Sequence, residues 1–148
     1  MILTAALALL LSPPAEAPHR FVYLGAGRFA RYADLSTLTP EGPDGGRIRV
    51  FQVVEPEFRA GGAAYWGGWS WWRFDCRKDA PVDRLDFASV REGGAEGPAI
   101  PDDAPPYPAL EGGDAFEMVV VACNPADSDI DATTLEEAVR HGRAQLAL

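Results

Sequence analysis

Two stretches of this chain carry residues at spacings that chemistry uses. Gly25-Ala26-Gly27-Arg28-Phe29-Ala30 fits the pattern G-x-G-x-x-G/A. Between a strand and a helix, such glycines bring backbone amides up to a dinucleotide pyrophosphate. Glu55, at the end of a later strand, would then stand where the ribose acid belongs. The residues that follow alternate like a strand, however, and no further strand–helix alternation supplies a parallel sheet. A hairpin turn is the plainer reading, with dinucleotide binding at Gly25 to Ala30 as the alternative. Asp127-Ser128-Asp129-Ile130-Asp131 opens like a calcium loop, but Ala132 occupies the sixth position and Ala138 the twelfth. Those positions require Gly and Glu, so the segment reads as an acidic lead into a helix N-terminus. His19 and His141 are the only histidines. They share no spacing that makes a metal pair or sets a base beside a nucleophile, and both are expected to be solvated. Gly-x-Ser-x-Gly, the P-loop and His-Glu-x-x-His do not occur. The expectation is a protein with no catalytic residue, no metal and no cofactor.

The segment Tyr65-Trp66-Gly67-Gly68-Trp69-Ser70-Trp71-Trp72-Arg73-Phe74 holds all four tryptophans. As one strand, its period of two puts Trp66, Trp72, Phe74 and Cys76 on one face. Tyr65, Trp69, Trp71, Arg73 and Asp75 fall on the other. The Cys76 face is expected to be core. The opposite face mixes large rings with charge, the composition of binding hot spots. Tyr65, Trp69, Trp71 and Arg73 are therefore the candidate binding patch. The competing reading is that a helix or loop covers these rings too.

Cys76 and Cys123 are the only cysteines, 47 positions apart. Without a Cys-x-x-Cys they make neither a zinc knuckle nor a dithiol redox site. In an exported chain two such cysteines most often pair; in a cytoplasmic one they would stay thiols. The N-terminus favours export. Ile2 to Leu11 is a short apolar run, Ser12-Pro13-Pro14 breaks it, and Ala15-Glu16-Ala17 has the small-x-small pattern of a processing site. About ten apolar residues suit a signal peptide and fall short of the roughly 20 that span a bilayer. No Lys or Arg precedes the run and Pro18 would follow the cut, so an ordinary N-terminal helix is the alternative. Residues 1–17 are read as a signal peptide. Residues 18–148 are read as a single domain with a short helical extension from about 125 and no transmembrane segment.

The elements that must position these residues are mostly strands. Arg20 to Gly25 is aromatic and β-branched, and Gly25-Ala26-Gly27 turns the chain. Arg28 to Asp34 alternates and pairs back as a hairpin. Thr39 to Gly46 has loop chemistry throughout. In Arg47 to Glu55, Ile48 and Val50 face one way while Arg47, Arg49 and Phe51 face the other. Ala63 to Cys76 is one long strand, or a hairpin broken at Gly67-Gly68. Val82 to Val90 alternates again, and Gly93 to Pro108 is a Gly/Pro loop. Asp114 to Cys123 is assigned to helix on its capping-box spacing (Asp114, Glu117) and on the Asn124-Pro125 stop, against the strand propensity of Val119-Val120-Val121. Thr134 and Glu137 repeat the capping box before a tail helix carrying Leu135, Ala138, Val139 and Leu146, interrupted at Gly142.

Composition bounds the partners. Gly 15 and Pro 13 of 148 residues are about 19%, against an average of roughly 12%, which favours a loop-rich β fold over a helix bundle. The net charge of −9 argues against nucleic acid, which needs a clustered basic surface, and against docking on anionic lipid.

Several segments, in order, line up with a known pattern: Phe21-Val22-Tyr23; Tyr32-Ala33-Asp34-Leu35-Ser36-Thr37-Leu38; Arg47-Ile48-Arg49-Val50-Phe51; the strand end Phe74-Asp75-Cys76; Gly112-Gly113-Asp114 and the terminal Cys123. From about Phe21 to Cys123 the chain resembles the surface-adhesin protein E-like domains, small exported bacterial proteins. The resemblance implies an α+β fold: an antiparallel sheet of about five or six strands, a packed C-terminal helix, and a Cys76–Cys123 disulfide from strand to helix. The family takes its name from adhesion to host extracellular proteins, an activity not carried over because no short motif for it is present. The chain departs from the pattern in having Phe in its first and third strands, a tryptophan-dense fourth strand, and a tail beyond Cys123. The expectation is a non-catalytic module exported to the periplasm, cell surface or medium. It would bind an unspecified protein or glycan partner. The alternatives are the dinucleotide-binding fragment and a purely structural envelope protein.

Overall fold

Alternating apolar residues and tight Gly turns make the antiparallel ladder that dominates this chain. In the computed structural model residues 17–113 and 115–148 are described. Apart from Ala17, the expected signal segment lies outside them, as does the Asp114 helix cap. The strands are β1 (Phe21–Ala26), β2 (Ala30–Glu41), β3 (Gly45–Val53), β4 (Arg59–Ala60), β5 (Ala63–Asp75), β6 (Pro81–Arg84), β7 (Asp86–Arg91), β8 (Ile100–Pro101) and β9 (Tyr107–Pro108). Two α-helices follow, α1 (Phe116–Cys123) and α2 (Leu135–Leu146). The main sheet runs β1-β2-β3-β5-β6-β9 in a curled half-barrel, all neighbours antiparallel. The far edge of β5 is shared, Trp72–Arg73 pairing β6 and Tyr65–Trp69 pairing β7.

The sequence reading of the stretch after β2 needs correction here. Thr39 to Gly46 is not a loop throughout: Thr39, Pro40 and Glu41 pair Arg47, Gly46 and Gly45, so the hairpin continues to a turn at residues 42–44. An irregularity between Asp34 and Thr39 lets the ladder resume after its break. Gly25 to Ala30 forms the β1–β2 hairpin connection, and a strand rather than a helix follows it. Its amides therefore do not stand at a helix N-terminus.

The sheet is buried on both faces. Val22, Leu24, Ala33, Leu35, Ile48, Val50 and Phe74 form one core with Met118, Val121 and Ala122 of α1. Phe21, Tyr32, Phe51, Val53 and Trp69 form a second core with Ala138 and Val139 of α2. α1 has eight residues, too few to hold itself helical in water, so its place is fixed by that packing and by the Cys76–Cys123 disulfide, with Cα atoms 5.8 Å apart. α2 opens on the expected capping box, Thr134 accepting from the Glu137 amide and Glu137 from the Thr134 amide. Gly142 does not interrupt α2. A Cβ there would stand 2.9 Å from Val53 Cγ2 and 3.2 Å from Ala30 Cβ, so glycine is what lets the helix lie directly on the sheet.

The outer edge of β1 is closed by the segment before α2. Phe21 donates its amide to Ala132 and accepts from Asp131, His19 donates to Thr133, and the Tyr23 amide reaches the Asp131 carboxylate at 2.6 Å. Asp131, the fifth position of the calcium-like stretch, thus caps a strand edge.

Candidate functional site

The register of β3 against β5 sets Arg49 opposite Trp71, Arg47 opposite Arg73 and Phe51 opposite Trp69. Residues directly opposite share a face, so aromatic and cationic side chains alternate along one surface. The Arg49 guanidinium lies 4.4 Å from the Trp69 ring and 5.8 Å from Trp71, and Arg47 lies 5.7 Å from Trp71. These are cation–π distances, and Arg is the cation best suited to stacking. Arg47 and Arg73, cross-strand neighbours of like charge, are reconciled by Glu41, which pairs with both; Arg73 also meets Asp83 at 3.6 Å. Arg49 pairs with Glu96 at 2.5 Å.

The ladder ends on a buried acid. Asp34 is 0% exposed. One carboxylate oxygen accepts from the Ser36 hydroxyl at 2.6 Å and from the Ser36 and Arg20 amides at 3.0 and 3.1 Å. The other meets His19 Nδ1 at 2.7 Å. Burial pushes the carboxyl upward, but the hydrogen bonds from Ser36, Arg20 and His19 outweigh it and hold the group below the usual aspartate range. The acid in turn fixes the imidazole, which stacks on Phe21 at 4.8 Å and tilts over Trp69 at 5.9 Å. Beside it opens a cleft of about 440 Å³ whose wall includes His19, Arg49, Trp66, Trp69, Glu96 and Thr134. That volume is within the range of small-ligand sites, roughly 300–1,000 Å³.

The four residues of the expected patch do not act together. Trp69 is 3% exposed and belongs to the α2-side core; Trp71 is half-buried and Arg73 is exposed. Tyr65 points to the opposite face, edge-on to Phe58 at 6.2 Å and beneath Arg91 at 5.4 Å. The cause is a bulge between Tyr65 and Gly67, which adds one residue and reverses the alternation before it. The same bulge brings Trp66 to the Trp69 side, where it packs on the α2 core. It also aims the Tyr65 carbonyl at Arg143 of α2, which donates to it at 3.0 Å and to Val54 O at 3.3 Å.

Neither histidine is simply solvated. His19 is paired with Asp34, and His141 Nδ1 lies 2.6 Å from the Tyr32 hydroxyl and edge-on to Tyr23 at 5.4 Å. Burial, with the nearby Tyr23 and Asp131 charges, raises the Tyr32 phenol above its ordinary range. The one signal for this in the sequence was Asp34 in phase with Ala30 and Tyr32 on one face of β2: an acid buried there requires a donor. Arg47, Arg49, Glu96 and Trp66 join the surface only through register and bulge. Among the described residues no cluster of three His, Cys, Asp or Glu side chains could hold a metal, and no helix is long and apolar enough to cross a membrane.

No protein-family model, no curated protein and no solved structure matches this chain.

Proposed function

We propose that the chain is an exported, non-catalytic cell-envelope or secreted module of the surface-adhesin protein E-like kind. It binds a protein or glycan partner through the Trp–Arg surface of β3 and β5. The observation that carries this reading is the ladder Arg73–Glu41–Arg47–Trp71–Arg49–Trp69, whose guanidiniums are already stacked and paired. A surface ordered before the partner arrives loses little side-chain entropy on binding. Trp and Arg are also the residues on which binding energy concentrates. The disulfide supports export, because such bonds persist in oxidising compartments.

The test uses immobilised extracellular proteins and glycans, with the wild type and Trp71→Ala and Arg73→Ala variants. Both residues lie outside the core, so their removal leaves the fold standing. The expected result is a ligand whose affinity falls about tenfold or more in each variant. Binding that ignores both substitutions, or none on either class of surface, refutes the reading. Intact mass from fractionated native cells, before and after reduction and alkylation, tests export separately. The expected species lacks about seventeen residues and takes up alkylating agent only after reduction.

A further inference from the structure

A groove of about 390 Å³ lies on the face of β5 away from the ladder, lined by Phe29, Val54, Phe58, Tyr65 and Phe87. Its surface is aromatic and aliphatic, and Phe58 is 38% exposed. Gly68 shapes the floor: a Cβ there would stand 2.3 Å from Phe87 Cζ, so the missing side chain lets the ring lie against the strand. Arg28 lines the groove, and Arg91 and Arg59 contact residues of its lining or their neighbours. The Arg28 guanidinium lies 5.5 Å from the Phe29 ring and Arg91 lies 5.4 Å from the Tyr65 ring. Arg59 donates to the carbonyls of Pro56 and Phe58.

Among the described residues none of these three arginines has a carboxylate partner, although Glu55 and Glu57 share the turn with Phe58. Arg47, Arg49, Arg73, Arg77 and Arg84 each have one. In a chain of net charge −9, Arg28 and Arg91 stack on two rings that line this apolar recess, and no carboxylate among the described residues holds either guanidinium. We propose that this groove binds a single-chain amphiphile with an anionic head, chemically a fatty acid. The chain lies on Phe29, Val54, Phe58 and Phe87, and the carboxylate meets Arg28 and Arg91. Apolar burial supplies the affinity, and an Arg–carboxylate pair at the mouth selects the head group. A recess of this size takes one chain rather than a bilayer surface, and the acidity of the rest of the molecule repels an anionic membrane.

The probe is dodecanoate, titrated below its micelle-forming concentration and followed by amide NMR shifts. The expected result is saturable shifts at Gly67, Gly68 and Ser89, with Trp71 and Arg73 unmoved. Dodecyltrimethylammonium, and dodecanoate against Arg28→Glu/Arg91→Glu, should each bind about tenfold or more weakly. Both arginines are exposed, and an unchanged spectrum elsewhere reports that the variant is folded. Equal binding of the cationic detergent, indifference to the arginine changes, absence of saturable shifts, or co-sedimentation with phosphatidylglycerol vesicles in place of monomer binding would each overturn the proposal. None of these outcomes bears on the Trp–Arg surface, which lies on the other side of the sheet.

Discussion

Replacing Cys76 and Cys123 together by Ala removes the one covalent tie between the sheet and α1. The bond closes a loop of 47 residues. In the chain-entropy treatment the closure is worth 2.1 + 1.5R ln 47 cal/mol/K, or about 4 kcal/mol at 25 °C. What the loop contains makes this figure matter. Between the cysteines, β8 and β9 have two residues each and α1 has eight. Met118, Val121 and Ala122, with Ala115 and Val119 beside them, hold α1 on its core. The double variant is predicted to lose about 4 kcal/mol in urea denaturation and to show a larger m, because its unfolded chain is more open. At about 3–5 °C per kcal/mol, the melting temperature should fall by roughly 12–20 °C. Native-state hydrogen exchange should show α1 amides opening before those of β2, β3 and β5. A loss under about 1 kcal/mol with unchanged m, or α1 protection equal to that of the central strands, would refute the reasoning. The packing of α1 would then suffice, and the cross-link would be incidental to the fold.

Three further outcomes are expected. Asp34→Ala strands the donors of His19, Arg20 and Ser36 around a buried hole and should cost about 3–5 kcal/mol, read by urea unfolding; a cost under about 1 kcal/mol would show that water replaces the acid. Because the folded carboxyl of Asp34 sits below its unfolded value of about 3.9, its contribution is fully present above that pH and is lost as the pH falls through the lower folded value. Acid unfolding of the wild type should therefore steepen below about pH 4, and Asp34→Asn should flatten that limb; parallel curves would contradict the assignment. Gly142→Ala places a Cβ against Val53 and Ala30 and should cost about 1–3 kcal/mol by overpacking. A gain in stability, as helix propensity alone would give, would show that α2 has room to shift.

Much of the fold was legible because it follows from local rules. Thr134 and Glu137 announce a capping box at its observed place. The alternation of Ile48 and Val50 against Arg49 and Phe51 gives the two faces of β3. Asn124-Pro125 ends α1 as expected, and the cysteines join it to the sheet. The candidate site was less legible because it depends on relations between distant residues. A bulge at Gly67 cannot be read from a period-two pattern, and it moves Tyr65 and Trp66 in opposite senses. Arg49 meets Trp69 only through register, and Glu96 comes from a loop 47 residues away. His19 and Asp34 are 15 positions apart, and their union requires that both faces of the sheet be covered. The amphipathic pattern of a single strand says which residues alternate, but not how many layers will close over them.

The guard on β1 carries a consequence for synthesis. Strand β1 is made well before Asp131, which occupies its edge and follows Tyr23 by 108 residues. A strand with bare amides and carbonyls recruits any extended segment it meets. Until residues 131–133 are made, no described residue outside β2 pairs with β1. Residues 131–133 thus act as a latch. A nascent chain stalled or clipped before residue 131 would carry the sheet of the finished protein with the adhesive border of an unfinished one.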